Sequence, residues 1–558
     1  MSHTASMSTP LSVETPIHAI VRVTHERLAW AFVVLGVLAC SVRYGLGFPL
    51  IPDEAALAMN IARRGYEGLL GELEFGQMAP PLFLMAVEWC THTLGLHEWS
   101  LRLPAFVGAI GALLTFPFIA RRVLSGWGFV LAVGVFSVSY WPLRYSSEVK
   151  PYGLDMFFAC LWLLLALRWM ASDRPWRWML AMLPLALVGF GFSFPSVFVG
   201  GGAVVAMTLA GSRHGWLTRI LQPGVVGAAL LAGFLGTYRW LVPARSGTAE
   251  WMASYWAKAF PPTDSIGGAA WWFLDVLTGE LMPYPMGGEN FASTATLLCV
   301  MLGIALLLKG RRFGLLALLL APVALGLVAG FLHKYPFGTP TRLQLYLAPV
   351  FCLMAGHGLA ELMRWLGVAL RAPAWRSPMR VACVLLGGIA LGTIVRDVLV
   401  PRKSSTDEAL REAARVIWGT ARFDGPRPLS LREDLNAAFV PEPEGMQSEV
   451  TRFLANYYVR VQRDSEKVEE RDVDPGEPVE VVTFYVEGYV DAALRAQWID
   501  RFEDAHHLRY AGSATLTIPH VGNHEELLRY DTIEILRFEP VIDAAAEETT
   551  SPPGERGA

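Results

Sequence analysis

The stretch PPLFLMAVEWCTHTLGL, Pro80 to Leu96, decides how this chain is threaded. It is apolar enough to compete for a membrane crossing. It also carries Glu88, Thr91, His92 and Thr93, with Glu88 and His92 one helical turn apart. More uniformly apolar runs occupy 28–43, 101–120, 126–142, 152–170, 176–193, 195–211, 223–241, 291–309, 313–332, 343–365 and 379–400. Most approach the roughly 20 residues that a bilayer crossing needs. Whether 80–96 crosses sets the side of every later loop. Basic residues in short loops favour the cytoplasmic side. With 80–96 on the surface and the N-terminus inside, that side collects Arg22 and Arg27, Arg121 and Arg122, Arg168, Arg174 and Arg177. It also collects Arg213 and Arg219, Lys309, Arg311 and Arg312, and Arg364, Arg371, Arg376 and Arg380. If 80–96 crosses, all but the first two move outside. The expected topology therefore has about 11 transmembrane helices, with the N-terminus cytoplasmic and the C-terminus outside. Residues 80–96 become an interfacial amphipathic helix in the first outer loop.

Composition agrees. Of 558 residues, 53% are hydrophobic and only 17% charged, and mean hydropathy is +0.38. Soluble domains carry about 25% charge, so a soluble enzyme, a disordered chain and a small disulfide scaffold are all excluded. The net charge of −4 hides two opposed parts. Residues 1–400 hold 28 Lys+Arg against 19 Asp+Glu, and residues 401–558 hold 18 against 31. The six cysteines all lie in apolar stretches, with no metal or redox spacing, and read as packing residues.

The division that follows is a cytoplasmic segment 1–27, a membrane domain 28–400, an extracytoplasmic soluble α/β domain 401–545 and a disordered tail 546–558. In the soluble part, 405–418 and 448–460 have helical periodicity. Val479 to Val486 and Thr532 to Phe538 are β-branched and aromatic, as strands are. Met1 to about Pro16 reads as disordered.

On the expected outer side, four pieces carry polar chemistry. Pro52-Asp53-Glu54 opens a helix over Ala55 to Arg64, with Asp53 as its expected cap. Capping and solvation alone would explain two such carboxylates. Glu148 and Asp155 lie at the outer end of another span, where carboxylates are costly and mark function. A structural ion pair with Arg144 or Lys150 is the plainer alternative. Lys334 and Arg342 flank a Pro- and Gly-containing loop, and such a pair suits a phosphate or a lipid headgroup. The aromatic loop 242–290, with Trp251, Tyr255, Trp256, Trp271, Trp272 and Tyr284, reads mainly as an interface belt, with a lid or sugar-stacking surface as the lesser reading. No Walker loop, dinucleotide fingerprint, H-E-x-x-H spacing or nucleic-acid patch occurs.

The order of these pieces resembles the bacterial C-type glycosyltransferases of the protein O-mannosyltransferase and lipid A aminoarabinose transferase kind. The resemblance rests on one span followed by Asp53-Glu54, a loop ending in Pro80-Pro81-Leu82, then Leu101-Arg102-Leu103-Pro104. Ser147-Glu148-Val149-Lys150-Pro151-Tyr152 and Tyr335 to Pro349 add to it. It covers about 28–400. It implies a sugar donor carried on a polyprenyl phosphate and an envelope acceptor on the outer (periplasmic) face of a bacterial inner membrane, with inversion at the anomeric carbon. It gives Asp53 the catalytic role, beside Glu54, and offers Glu148 or Asp155 as a second functional carboxylate. Where lipid A transferases resemble Glu-Lys-Pro, this chain has Met78-Ala79-Pro80. That departure argues against aminoarabinose transfer itself and shifts phosphate binding to Arg342, Lys334, Arg102 or Lys150. Trp271, Trp272 and Tyr335 are the acceptor or lid candidates. The pattern accommodates a divalent cation (Mg or Mn) on Asp53 and Glu148 but does not demand one. The competing class is a polytopic transporter or flippase, which would favour repeats, broken helices and charges at mid-membrane. A binding or scaffold protein is the third.

Overall fold

The computed structural model describes residues 16–210, 215–241, 255–371, 377–420, 429–430, 455–456, 479–485, 492–517 and 532–541. The expected disordered ends, Arg213, Trp251, Arg376 and most of the expected helix 448–460 lie outside them. The chain separates into two compact units. The first comprises Met1–Gly47, Tyr66–Cys90 and Leu101–Pro401, and the second Phe48–Gly65, Thr91–Ser100 and Arg402–Ala558.

The first unit is a helical bundle, and each apolar run of the sequence forms a helix in it. Among the described residues eight helices are long and apolar enough to cross a membrane. The run 126–142 makes a ninth as a bent pair, Gly126–Val138 and Tyr140–Ser147, at 41°. The runs 195–211 and 291–309 form the shorter helices Ser196–Ala210 and Thr294–Lys309. Pro81–Leu94 is also helical. At 1.5 Å per residue its 14 residues reach about 21 Å, short of the roughly 30 Å hydrocarbon core. Phe83, Leu84 and Val87 are buried while Trp89 and Leu94 are exposed.

Apolar side chains gain little by leaving lipid for protein, so close backbone approach does much of the packing. Gly358 shows how close. A Cβ there would lie 1.9 Å from the Cys299 carbonyl oxygen, so the helices Ala348–Ala369 and Thr294–Lys309 meet almost backbone to backbone. Gly153 does the same at the start of Tyr152–Ala171, where a Cβ would lie 2.0 Å from the Ala105 oxygen. The bend after Val138 leaves backbone groups that need partners inside a membrane protein. The Tyr140 amide finds the Pro285 oxygen at 2.9 Å, and the Ser139 hydroxyl finds the Val135 oxygen at 2.6 Å.

The helix ends sort by charge. At one end Arg312 Nη1 donates to the Val123 oxygen at 2.7 Å, His25 meets Trp127 edge to face, and Arg168 lies 4.8 Å over Trp178. At the other, Arg43 closes the first span onto the last. Its Nη1 bonds Asp397 Oδ2 at 2.7 Å and its Nε donates to the Arg144 oxygen at 3.0 Å. Both side chains of the ion pair are 3% exposed.

In the second unit, Pro52–Arg63 is a helix. Asp53 is not its cap. Pro52 takes the first helical position, where its missing N–H costs nothing, and Ile51 is the cap residue. Glu54 reaches back to the Ile51 amide at 3.3 Å, doing the work expected of Asp53. Ser405–Thr420 is helical, as its periodicity predicts. A four-stranded sheet follows in the order β1-β2-β4-β3: Leu429–Ser430, Val479–Tyr485, Thr532–Pro540 and Leu508–Thr517. β1 runs parallel to β2, and the other pairs are antiparallel. Helix Ala492–His506 covers one face through Ile499 and Phe502, which pack with Val481, Leu508, Leu536 and Phe538. Arg495 grips Glu534 with two nitrogens, and that bond raises its pKa above the usual guanidinium value.

The buried pair at the bundle's end yields a stability prediction. Asp397→Leu removes the carboxylate that holds Arg43 and is expected to cost about 3–5 kcal/mol. The double variant Arg43→Met, Asp397→Leu should recover part of this. Thermal unfolding in detergent checks it; an Asp397→Leu midpoint equal to wild type would remove the pair from the frame.

Candidate functional site

In the first unit, three loops separated in sequence meet beside Tyr145. The segment 140–152 carries the first set of groups. Trp141 stacks on Tyr145 at 5.8 Å, and Tyr152 meets Tyr145 edge to face at 5.4 Å. Trp141 Nε1 also donates to the Gly287 oxygen at 3.1 Å, which ties this segment to the loop after Thr278. That loop carries Glu280. Its Oε2 accepts from the Thr339 hydroxyl at 2.8 Å and from the Thr341 amide at 2.9 Å. The Thr341 hydroxyl returns a bond to the Glu280 carbonyl at 2.9 Å. Three bonds on consecutive groups fix the chain immediately before Arg342.

Arg342 opens the 3-10 turn Thr341–Leu347, and its guanidinium lies 5.7 Å over the Trp256 ring. A cation over an indole face that water still reaches is worth about 0.5–1 kcal/mol, and both groups are half-buried. Such a contact helps to set where the guanidinium lies. The Tyr145 hydroxyl lies within the electrostatic reach of Glu148, Arg342, Arg144 and Glu280. Of these four groups Arg144 makes the direct contact, 6.0 Å from the Tyr145 ring centroid. Arg144 is held by the Tyr140 hydroxyl at 3.0 Å and lies over Trp141 at 5.6 Å.

Of the residues singled out in the sequence, Glu148 and Arg342 belong to this cluster. Glu148 is 1% exposed and follows the turn Tyr145–Ser147 in extended backbone. Lys150 is also buried, and its ammonium donates to Gln77 Oε1 at 2.6 Å. Arg102 is buried in helix Glu98–Val123, where its charge acts on Tyr44. Lys334 is exposed.

Asp155 sits one turn into helix Tyr152–Ala171, on a different set of neighbours. It is 4% exposed, and its Oδ1 has no hydrogen-bond partner among the described residues. Its charge acts on Tyr335 and Tyr346. The Tyr335 hydroxyl donates to the Leu343 oxygen at 2.9 Å and its ring packs on Phe198. Burial pushes that hydroxyl's pKa well above the ordinary phenol value, so it stays a donor. Trp272 Nε1 is bonded to the Lys258 oxygen at 3.1 Å, whereas Trp271 is 64% exposed. Trp256, read in the sequence as part of the aromatic belt, is the ring that lies against Arg342.

Asp53 and Glu54 belong to the second unit. Asp53 is half-buried, at the second position of its helix, and Glu54 is fully buried. Among the described residues no group of three or more His, Cys, Asp or Glu converges as a metal-ion site.

The sequence did not point to Glu280. It is an isolated carboxylate after an aromatic helix, and its partners are 59 and 61 residues away. No spacing rule links groups so far apart.

No family model matches the sequence, and no curated protein does. Solved structures do match. The crystal structure of ArnT from Cupriavidus metallidurans bound to undecaprenyl phosphate is 12% identical, with a TM-score of 0.52 over 91% of this chain and 97% of that one. The apo structure of the same protein matches equally, over 98% of its length. The Archaeoglobus fulgidus oligosaccharyltransferase is 12% identical at a TM-score of 0.41, covering 77% of this chain and 64% of that one. The helical bundle and the small C-terminal sheet together have the fold of ArnT, and the chain is an integral membrane protein built on it.

Proposed function

We propose that the protein is a membrane glycosyltransferase that moves a sugar from a polyprenyl-phosphate donor to an envelope acceptor on the outer face of the membrane. The observation that carries this is the Arg342 station: a guanidinium stacked on Trp256 and fixed from behind by Glu280. The ArnT structure of the same fold holds undecaprenyl phosphate, which supports a lipid-phosphate ligand here. Outside the cytoplasm nucleotide sugars are scarce, so a donor must arrive already activated and membrane-bound. Undecaprenyl phosphate is such a carrier.

Displacement at the anomeric carbon needs a base for the acceptor hydroxyl and positive charge for the departing phosphate. In this proposal Asp53 takes the proton, a contribution of about 10²–10⁴-fold. The helix dipole at its second position favours the anion. Arg342 binds the leaving phosphate through a bidentate fork, with Lys334, Arg102 and Lys150 as the further cations. Glu148 is the second carboxylate we place beside the donor, because it shares the Tyr145 cluster with Arg342. Asp155, on separate neighbours, is the alternative. One in-line displacement inverts the anomeric centre. Trp271, Trp272 and Tyr335 are proposed to border the acceptor. Residues 401–545 are proposed to form the extracytoplasmic domain.

A transporter or flippase is the second reading, and the bent pair at Val138 favours it because discontinuous helices line transport sites. Release of sugar from a polyprenyl-phosphate donor by the purified protein separates the two.

Asp53→Asn is expected to abolish transfer with unchanged expression and membrane insertion; a fully active variant would remove Asp53 as the base. Arg342→Ala is expected to raise the donor KM about tenfold or more, the scale of one charge-assisted bond. Glu280→Ala should raise it in the same direction. Glu280→Gln keeps a carbonyl oxygen for Thr339 and Thr341 and should leave the donor KM at or below wild type. Steady-state kinetics with a defined donor check both residues.

A further inference from the structure

The second unit contains a contact that joins distant parts of the sequence. Glu54, the neighbour of Asp53, is fully buried. A carboxylate without water needs opposite charge or several donors. Its Oε2 accepts from the Ile51 amide at 3.3 Å and faces Lys403 Nζ at 3.7 Å, with the Lys403 side chain only 8% exposed. The two residues are separated by almost the whole span domain in sequence, yet both belong to this unit.

Lys403 is itself placed firmly. Ser404, next in the chain, accepts from the Asp407 amide at 3.1 Å and donates to Asp407 Oδ2 at 2.7 Å, at the start of helix Ser405–Thr420. Arg402, on the other side, is bonded to Glu408. Asp407 is 2% exposed, and Leu410, Ala413 and Ala414 are buried below it. The lysine therefore projects from a turn held on both sides. Its target is equally constrained, because Glu54 to Ile61 of helix Pro52–Arg63 are all buried.

We propose that Lys403 is a positioning residue: through its ion pair with Glu54 it fixes the first turn of helix Pro52–Arg63, and with it the Asp53 carboxylate. The segment that follows the last span thus completes the acidic pair of the first loop and is more than a tether for the C-terminal sheet. This rests on the reading of Asp53 as the base. The ion pair itself does not touch substrate. It acts by orientation, where a displacement of about 1 Å can cost about 10²-fold in rate.

The test uses the full-length protein in detergent or nanodiscs. Lys403→Met, Lys403→Arg, Glu54→Gln and the Lys403→Met/Glu54→Gln double variant are compared for kcat, donor KM and amide exchange of residues 52–63. Lys403→Met should lower kcat about 10- to 100-fold with donor KM within a factor of two, and Lys403→Arg should restore most of it. Amides of residues 53–57 should exchange faster in Lys403→Met. The double variant should be no worse than the poorer single one, since both remove the same pair. Asp53→Asn serves as the separate control. If that variant is inactive while Lys403→Met has wild-type kcat or unchanged exchange, the positioning role is overturned and the base survives. If Asp53→Asn is active, the base assignment fails by itself, and faster exchange in Lys403→Met then shows the pair to be structural only, which also overturns the role proposed. Equal losses in kcat and in the folded fraction for Lys403→Met, with no rescue by Lys403→Arg, would overturn it as well.

Discussion

The ion pair between Arg43 and Asp397 is the constraint on which the functional end of the bundle depends. It binds the last turn of the first span to the last turn of the final one, and Arg43 also holds the Arg144 backbone. Neither charge could rest in that environment without the other. Arg396 adds a second cation to Asp397 at 3.2 Å and lies over Tyr140. The termini of the bundle are therefore closed by charge at the place where segment 140–152 turns. The Arg144 backbone, next to Tyr145, is held directly by that closure.

A consistent electrostatic logic runs through the site. Arg342, Arg144 and Lys150 each lie against a neutral group that sets their direction. Trp256 supplies a face for Arg342, Tyr140 and Trp141 hold Arg144, and Gln77 holds Lys150. Glu280 works through the backbone and hydroxyls of Thr341 and Thr339, and so fixes the loop that carries Arg342. Preorganisation of this kind spares a site the cost of ordering its charges when ligand arrives.

Much of the fold was legible. Apolar length marked every span run, because hydrocarbon imposes a run length on helices that water does not. The surface assignment of 80–96 followed from where the arginines fall, and the segment folds as the 14-residue helix Pro81–Leu94. Two things escaped. The break at Ser139 has no proline at the break itself and is stabilised by the Pro285 oxygen, a distant partner. The cap of helix Pro52–Arg63 passed from Asp53 to Ile51 because proline prefers the first helical position. At the site, Glu148, Arg144 and Arg342 were visible as charges beside spans, whereas Glu280 and Trp256 were not visible as partners. Their value lies in pairings across more than fifty residues, and local patterns do not encode those.

The sequence by itself determined that the chain crosses a membrane many times, where its basic residues cluster, that an acidic stretch follows, and which charges stand at helix ends. These are properties of local composition, set by the solvent each segment must enter. Only the tertiary structure decided which charges share a neighbourhood. It put Glu148 with Arg342 and left Asp155 among Tyr335 and Tyr346. It also assigned the Asp53 helix to the same compact unit as the tail, with Lys403 against Glu54. The reason is physical: a buried charge takes its partner from whatever the packing brings near, and packing is settled by the whole chain at once.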